Sequence, residues 1–492
     1  MKYKTIFLLS ILTLYLLSAR LFALTLKEKV IFKGSPPDGY VLIAESVVPS
    51  PNLQHIGFVC RSNDKKTMVA VVDGKKTIEF SNIAKGYPHF SPDGKDFLIL
   101  GKIKDKAYVL HNNKLSQGFD EIFKAQFTPD GKKIVFIAIQ GGREFLIENG
   151  KPWKDYKAIA ERISPVFSSD SKKIAIVALK DNGKSTISVN NKELGEYDLV
   201  LKPNFSPDSK HIAYPIKKNG KFSVILDGKI IGGSYDEVKH IVFSPDSKHL
   251  AFVAKVGMNF FAVIDGKSSD KYQYVGTVIF SDDGKHWAYM AYENQKMFIV
   301  LDGKKGPKLD QIGPYFFSKN NDLLYMGVKN SKGAIFINNK PQKFYDSVGL
   351  PVVSNDGKHI AYRARSGKKW FLVLDKKEGK KYDFIRRPKF SNNGKHVAYI
   401  AVKNKKYFIV LDNIEGKKYP WTDFPYFSKD GNHMAYVASD GKNMFMVVDG
   451  VEAKEKFFGY LKGLPLLFHK NCITGQAIRL PGPKFYVVET CF

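Results

Sequence analysis

A chain of 492 residues with 44% hydrophobic and 13% aromatic content has ample apolar surface to offset the entropy of ordering, which excludes a disordered protein, and is too long for one ordinary core. Its formal charge of +29, from 77 Lys and Arg against 48 Asp and Glu, favours anionic partners. Three cysteines, Cys60, Cys472 and Cys491, are too few for a disulfide-built scaffold.

The chain begins Met1-Lys2-Tyr3-Lys4, followed by an apolar stretch of twelve residues from Ile6 to Leu17 and the small residues Ser18, Ala19 and Ala23. A basic start, a short hydrophobic stretch and a small-residue site predict a secretory signal peptide over residues 1–23. A spanning helix needs about 20 apolar residues, so no stable membrane span is expected once the signal is removed. The mature chain is then expected to start near Leu24, in a periplasmic or secreted location, and the loss of Lys2, Lys4 and Arg20 lowers the formal charge to +26. Export makes nucleic acid an unexpected partner. An oxidising compartment would allow Cys472 and Cys491, which share the last segment, to pair, whereas Cys60 in Gly57-Phe58-Val59-Cys60 is expected to be buried.

Beyond the leader one phrase recurs: Phe90-Ser-Pro-Asp-Gly-Lys95, Phe127-Thr-Pro-Asp-Gly-Lys132, Phe205-Ser-Pro-Asp-Ser-Lys210, Phe243-Ser-Pro-Asp-Ser-Lys248 and Phe280-Ser-Asp-Asp-Gly-Lys285. Weaker copies start at Phe167, Phe317, Val353, Phe390 and Phe427, with degenerate ones near Val48 and Leu466, so that about twelve copies lie 36 to 40 residues apart. A fixed period of this size signals a repeat architecture. Residues 202–238 show its elements in order: a short strand at Pro203–Phe205, a turn, a second strand at His211–Tyr214, a turn at Asn219-Gly220, a third strand at Phe222–Leu226, the turn Asp227-Gly228, and a fourth strand at Tyr235–Val238. Asp-Gly and Asn-Gly supply the positive φ that two-residue hairpins require. Second strands such as Leu250–Val253 are apolar at successive positions, as in a sheet covered on both faces.

These features predict an all-β β-propeller of about twelve four-stranded blades, arranged most simply as two six-bladed rings over residues 24–275 and 276–492, with one larger ring or a seven-plus-five split as the alternatives. The last repeat lacks a fourth strand, and Val30–Phe32 and Tyr40–Ile43 are spare strands that could complete it. The phrase Phe-Ser-Pro-Asp-Gly-Lys followed by Ile-Ala-Tyr resembles the WD40-like repeat of the TolB type across about residues 40 to 490. The resemblance implies a periplasmic propeller that binds other proteins. The α/β domain that precedes the propeller in that family has no counterpart here, so its particular partners do not carry over.

No nucleophile elbow, His-Glu-x-x-His, Cys-x-x-Cys, phosphate loop or EF-hand pattern occurs, and no catalytic residue, metal ligand or cofactor is assigned. Seven histidines, at 55, 211, 249, 286, 359, 396 and 433, share one repeat position and are expected to serve the turns. The Tyr-Asp pairs at 197–198, 235–236, 345–346 and 382–383 are expected to be structural, the tyrosine packing and the carboxylate hydrogen-bonding. Function is sought where the repeat breaks its own rule. Where other second strands read Ala-Tyr-Val-Ala, one reads Ala361-Tyr362-Arg363-Ala364-Arg365. With Arg386, Arg387 and Trp421, expected in the connections into the next two blades, these arginines predict a basic, aromatic-edged patch, since guanidinium forks suit carboxylates and phosphates. The expectation is an exported, non-enzymatic binding or scaffold propeller of the cell envelope, taking a protein or anionic envelope component on a basic ring face. The alternative is an enzyme acting on an anionic envelope glycan or peptide.

Overall fold

The computed structural model describes residues 27–491 except 35, 53, 161, 164, 455, 458, 461–465, 470–471 and 480–483, so the expected signal peptide lies outside the described residues. Twelve antiparallel sheets account for almost all of its regular structure, and among the described residues the sole helical element is one 3-10 turn, Ala44–Ser46. Eleven sheets have four strands in chain order, as the repeat predicts, and the last takes its fourth from the N-terminal segment Lys27–Gly34. In nine sheets the first strand is split into two short pieces that pair with the same second strand; in three it runs through a bulge as Glu121–Phe127, Glu237–Phe243 and Gln311–Phe317. By density of contacts the chain divides into residues 36–353 with 364–367, and residues 1–35 with 354–363 and 368–492. The larger unit holds eight complete sheets, from Tyr40–Leu42 to Lys340–Pro341. The smaller holds three, beginning at Phe384–Ile385.

The repeated phrase is a turn that clasps itself and its neighbour. In Phe205-Ser-Pro-Asp-Ser-Lys210 the buried Ser206 hydroxyl donates to Asp208 Oδ1 at 2.6 Å and accepts the His211 N–H at 2.9 Å, while Asp208 also accepts the Lys210 N–H at 3.0 Å. The next phrase is tied on by the Asp208 N–H, which donates to Ser247 Oγ at 3.0 Å; Asp130 with Ser171, and Asp170 with Ser209, repeat that bond. The third-to-fourth-strand turn is equally specified. Asp227 at φ 48° and Gly228 at φ 82° form a two-residue hairpin loop, both in the left-handed region that Asp tolerates and Gly favours. Asp227 Oδ1 also accepts the Ile212 N–H at 2.9 Å and its Oδ2 meets His211 Nδ1 at 2.6 Å. The same His–Asp clasp, at 2.5 to 2.7 Å, joins His55–Asp73, His249–Asp265, His286–Asp302, His359–Asp375, His396–Asp412 and His433–Asp449, which gives all seven repeat histidines a turn role.

Those turns carry an acid sensitivity. Hydrogen bonds from Ser or Thr hydroxyls and then from backbone N–H groups hold the carboxyls of Asp93, Asp170, Asp208, Asp283 and Asp356 below their ordinary value of 3.8. A folded pKa below the unfolded one contributes stability that is present above the unfolded value and is lost as pH falls through the folded one. The urea midpoint is therefore expected to be flat from pH 7 to about 5 and to drop below about pH 4. An unchanged midpoint at pH 3 would remove the turns from the stability balance.

Second strands are buried at consecutive positions, as Leu250 to Ala254 are, because sheets from adjacent blades cover both faces. Cores therefore form between sheets: Ala288, Ile299, Leu309, Leu323, Tyr325, Ala334 and Phe336 make one such cluster. Cys60 is fully buried in another, where burial pushes its thiol pKa up to about 11.

The structure corrects three assignments. The fourth strand of the 202–238 repeat is Lys229–Tyr235, since the Asp-Gly turn returns the chain into register at once, and Glu237 and Val238 already belong to the first strand of the next sheet. Tyr40–Leu42 pairs with Ile56–Ser62 as part of the first sheet, not the last. Arg386-Arg387 and Trp421 belong to first strands and not to blade connections: Phe384–Ile385 and Lys389–Phe390 both pair with Val397–Lys403, which leaves Arg386-Arg387 between them, and Trp421–Thr422 pairs with Met434–Ser439. The other spare strand behaves as expected. Lys27–Gly34 pairs antiparallel with Lys484–Cys491, from Lys27 opposite Cys491 to Gly34 opposite Phe485, and supplies the fourth strand of the last sheet. In that sheet Cys472 stands opposite Cys491 across adjacent strands.

Candidate functional site

Second strands in the smaller unit show what Arg363 replaces. Val397–Lys403 carries a buried Ile400 and Met434–Ser439 a buried Val437 at the position that Arg363 holds in Ile360–Ser366. A guanidinium there must be hydrogen-bonded or stacked. Arg363 is both: Nη1 donates to the Ile385 carbonyl at 3.2 Å, and the guanidinium lies 4.9 Å from the Trp370 ring centre and 5.4 Å from that of Phe384. Burial lowers its pKa from the ordinary arginine value, and a guanidinium stays charged throughout.

The pattern continues into the next two blades. Arg386, directly after Ile385, places its guanidinium 5.2 Å from the Phe424 ring, and Lys389 its ammonium 4.6 Å from the Tyr426 ring. Surrounding protein lowers the Lys389 pKa although its stem is exposed. Phe384 and Phe424 are 37% and 38% exposed, high values for phenylalanines and enough to present ring surface to a ligand. Trp370 meets Phe384 edge-on at 5.8 Å. The result is a row of cations alternating with rings: Arg363 against Trp370 and Phe384, Arg386 against Phe424, Lys389 against Tyr426.

Charge pairing sets this row apart. The lysine that opens many third strands is neutralised by the aspartate of a Tyr-Asp pair, as in Lys369–Asp383 at 2.6 Å and Lys221–Asp236, or by the equivalent aspartate of Leu309-Asp310, which Lys296 meets at 2.6 Å. The second oxygen of each carboxylate accepts a turn N–H, from Asn330, Asn404 and Gly257. Tyrosines of these pairs are buried, as Tyr382 is against Tyr399 and Phe408. The Tyr-Asp pairs are thus structural. Arg363, Arg386 and Lys389, by contrast, have no carboxylate within ion-pair distance among the described residues.

Of the sequence-predicted residues, Arg363 and Arg386 meet around Ile385. Arg387 is exposed beside them. Arg365 belongs to the other unit and donates to the Gly367 carbonyl at 3.1 Å. Trp421 is half-buried and packs on the core of Ala435, Val437 and Met446. Sequence reasoning missed Trp370, Phe384, Lys389, Phe424 and Tyr426. The available signal was positional: Arg386-Arg387-Pro388 and Asp423-Phe424-Pro425 occupy the same break in successive first strands.

That break is basic in the larger unit too, where Lys85, Lys124, Lys202 and His240 stand at it, all exposed. Lys124 at φ 51° and His240 at φ 53° are the non-glycine residues with positive φ inside described strands, both at bulges. First strands of neighbouring blades converge there: Tyr87 Oη donates to the Ala125 carbonyl at 2.8 Å and Asn204 Nδ2 to the Ile241 carbonyl at 3.0 Å.

Among the described residues no group of three or more His, Cys, Asp or Glu could hold a metal ion, and no helix is long and apolar enough to cross a membrane. No family model matches the chain and no curated protein matches it. Solved structures similar to it include a eukaryotic initiation factor (14% identity, 63% of this chain and 90% of that one, TM-score 0.36), the Dos1 propeller (11%, 68% and 92%, TM-score 0.27) and TolB from Acinetobacter baumannii (14%, 50% and 77%, TM-score 0.23). Twelve antiparallel sheets of four strands each, following one another along the chain, make this protein an all-β, multi-blade propeller.

Proposed function

We propose that this chain is an exported, non-enzymatic binding or scaffold propeller of the cell envelope, periplasmic or secreted, that takes a protein or anionic ligand on the cationic and aromatic row of the smaller unit. The observation that carries this reading is the alternation of carboxylate-free Arg363, Arg386 and Lys389 with the exposed rings of Phe384 and Phe424. Planar guanidinium groups already seated against rings keep their donors for a carboxylate, sulfate or phosphate, and lose little entropy on binding. Export rests on the leader-like residues 1–23, and an oxidising destination favours a disulfide between Cys472 and Cys491, which the strand register sets opposite each other.

The test measures binding of the mature protein to dextran sulfate and to poly-glutamate at several salt concentrations. Joint replacement of Arg363, Arg386 and Lys389 by Ser is expected to weaken binding at least about tenfold. Replacing Lys95, Lys210, Lys248 and Lys285, which sit in turns, should cost far less. Affinity should fall with salt, because exposed charges are screened over about 8 Å at physiological ionic strength. Equal losses from both sets would reduce the interaction to diffuse charge and overturn the assignment of this face.

A further inference from the structure

The larger unit contains a second departure from the repeat, at the residue that precedes each third-to-fourth-strand turn. That position is Leu226, Ile264, Leu301, Ile337, Leu374 and Leu411 in other blades, but His111 in the blade of Phe97–Ile103 and Lys106–His111 and Glu148 in the next, where Lys133 pairs with it at 2.7 Å. The turn beside His111 changes as well. Asp96 stands where the repeat histidine belongs and Asn112 replaces the turn aspartate, the Asn112 Nδ2 donating to Asp96 Oδ1 at 2.7 Å and the Phe97 N–H to Asn112 Oδ1 at 3.0 Å. His111 itself takes no part in this clasp. Its Nε2 is buried and makes no hydrogen bond, with Asp96 Oδ1 3.9 Å away.

His111 borders a cleft of about 440 Å³ between this blade and the next. The floor is apolar: Val109, Phe119, Phe127, Phe136 and Ile147, all buried side chains, with Phe119 edge-on to Phe136 at 5.8 Å and the His111 ring edge-on to Phe127 at 6.1 Å. At the rim stand Leu115, 37% exposed, and the exposed Lys114 and Lys132, neither of which has a carboxylate within ion-pair distance among the described residues. Blade packing by itself leaves smaller clefts at equivalent places, about 330 Å³ beside Leu374 and Val397 and about 270 Å³ beside Leu226 and Phe243. There the bordering imidazole and carboxylate, His249 and Asp265 for instance, satisfy each other. The cleft at His111 alone among these three combines a phenylalanine floor, an orphaned imidazole nitrogen and two unpaired ammonium groups.

We propose that this cleft binds a small aromatic carboxylate, its ring against Phe119, Phe127 and Phe136 and its carboxylate against Lys114 and Lys132 at the mouth, the half-exposed His111 side chain turning its Nε2 away from Asp96 to donate to it. The volume lies within the range of small-molecule sites, which pair an apolar lining with a few converging polar groups. An orphaned buried polar atom costs stability that a ligand accepting its hydrogen bond restores. The site is independent of the cationic row, lying in the other unit and requiring one small molecule.

The probe is 2-naphthoate, followed by fluorescence and by amide shifts of residues 96–150, with 2-naphthamide as the uncharged isostere. Saturable binding with Kd on the order of 0.1–1 mM is expected for a ligand of this size. His111→Leu restores the residue usual at this repeat position, so it should fold as well as the parent, and it should bind about tenfold more weakly. A joint Lys114→Ser and Lys132→Ser variant should erase the preference for naphthoate over naphthamide while leaving melting unchanged. The proposal is overturned by naphthoate that does not saturate, by equal affinity in His111→Leu, by shifts centred on the clefts at Leu374 or Leu226, or by an undiminished charge preference in the lysine variant. If His111→Leu is less stable than the parent, the lysine variant carries the decision alone.

Discussion

Deletion of residues 27–34 is expected to leave a protein that aggregates on concentration and has lost protection across its last sheet. Lys27–Gly34 is the outer strand of that sheet, paired along the length of Lys484–Cys491. Without it seven register pairs disappear and the Lys484–Cys491 edge, eight residues long, presents unpaired N–H and C=O groups to other chains. Most other fourth strands are two residues long and carry lysine or proline, as Lys75–Lys76, Lys151–Pro152, Lys304–Lys305 and Lys340–Pro341 do, a standard way of blunting an edge. The measurement is size-exclusion at rising concentration, with amide exchange over residues 472–491. It should be run with and without reductant, since the proposed Cys472–Cys491 bridge would hold the remaining hairpin together. A variant that stays monodisperse, melts as the parent does and keeps its protection would refute the role of the strand.

Phe336→Ala should have the largest effect of any single substitution considered, about 3–5 kcal/mol of local destabilisation. Phe336 is 1% exposed and stacks on Tyr325 with ring centres 4.9 Å apart and planes 7° from parallel. Its ring fills space that a side chain elsewhere would share: a Cβ on Gly327 would come within 2.6 Å of Phe336 and of Leu309, so the glycine makes room for both. In a repeat array, stability is a sum of blade and interface terms, so the loss should concentrate in the two sheets that share this core, residues 279–341, and spare the rest. Amide exchange by segment reads that distribution directly. A uniform loss over all blades would mean that the array unfolds as one unit.

Much of the fold was legible because its determinants are local. Ser-Pro-Asp-Gly-Lys writes its own turn, Asp-Gly its own hairpin, and each recurs at a nearly constant spacing, so the sheets and even the pairing of the N-terminal strand with the last repeat could be read ahead. Strand limits were harder where a turn acts at a distance: the Asp227-Gly228 loop starts the fourth strand at Lys229, while the eye is drawn to the aromatic Tyr235 that ends it. Arg386-Arg387, expected in a connection between blades, stands instead between two pieces that pair with one partner. For the site, Arg363 stood out as a cation in an apolar position. Its ring partners did not, because every blade places phenylalanine and tyrosine in its core, and Phe384 and Phe424 differ from those only in being half out of it.

The strand Lys27–Gly34 also fixes an order of events in time. Ribosomal synthesis delivers this segment roughly 450 residues ahead of its partner strand, Lys484–Cys491, and closing so long a loop carries an entropic cost that neighbouring hairpins avoid. The intervening blades can form one after another as they emerge, each from contiguous sequence. Lys27–Gly34 must meanwhile wait as an unpaired strand, and any chaperone that guards this protein during its production has that segment to hold until Lys484–Cys491 arrives.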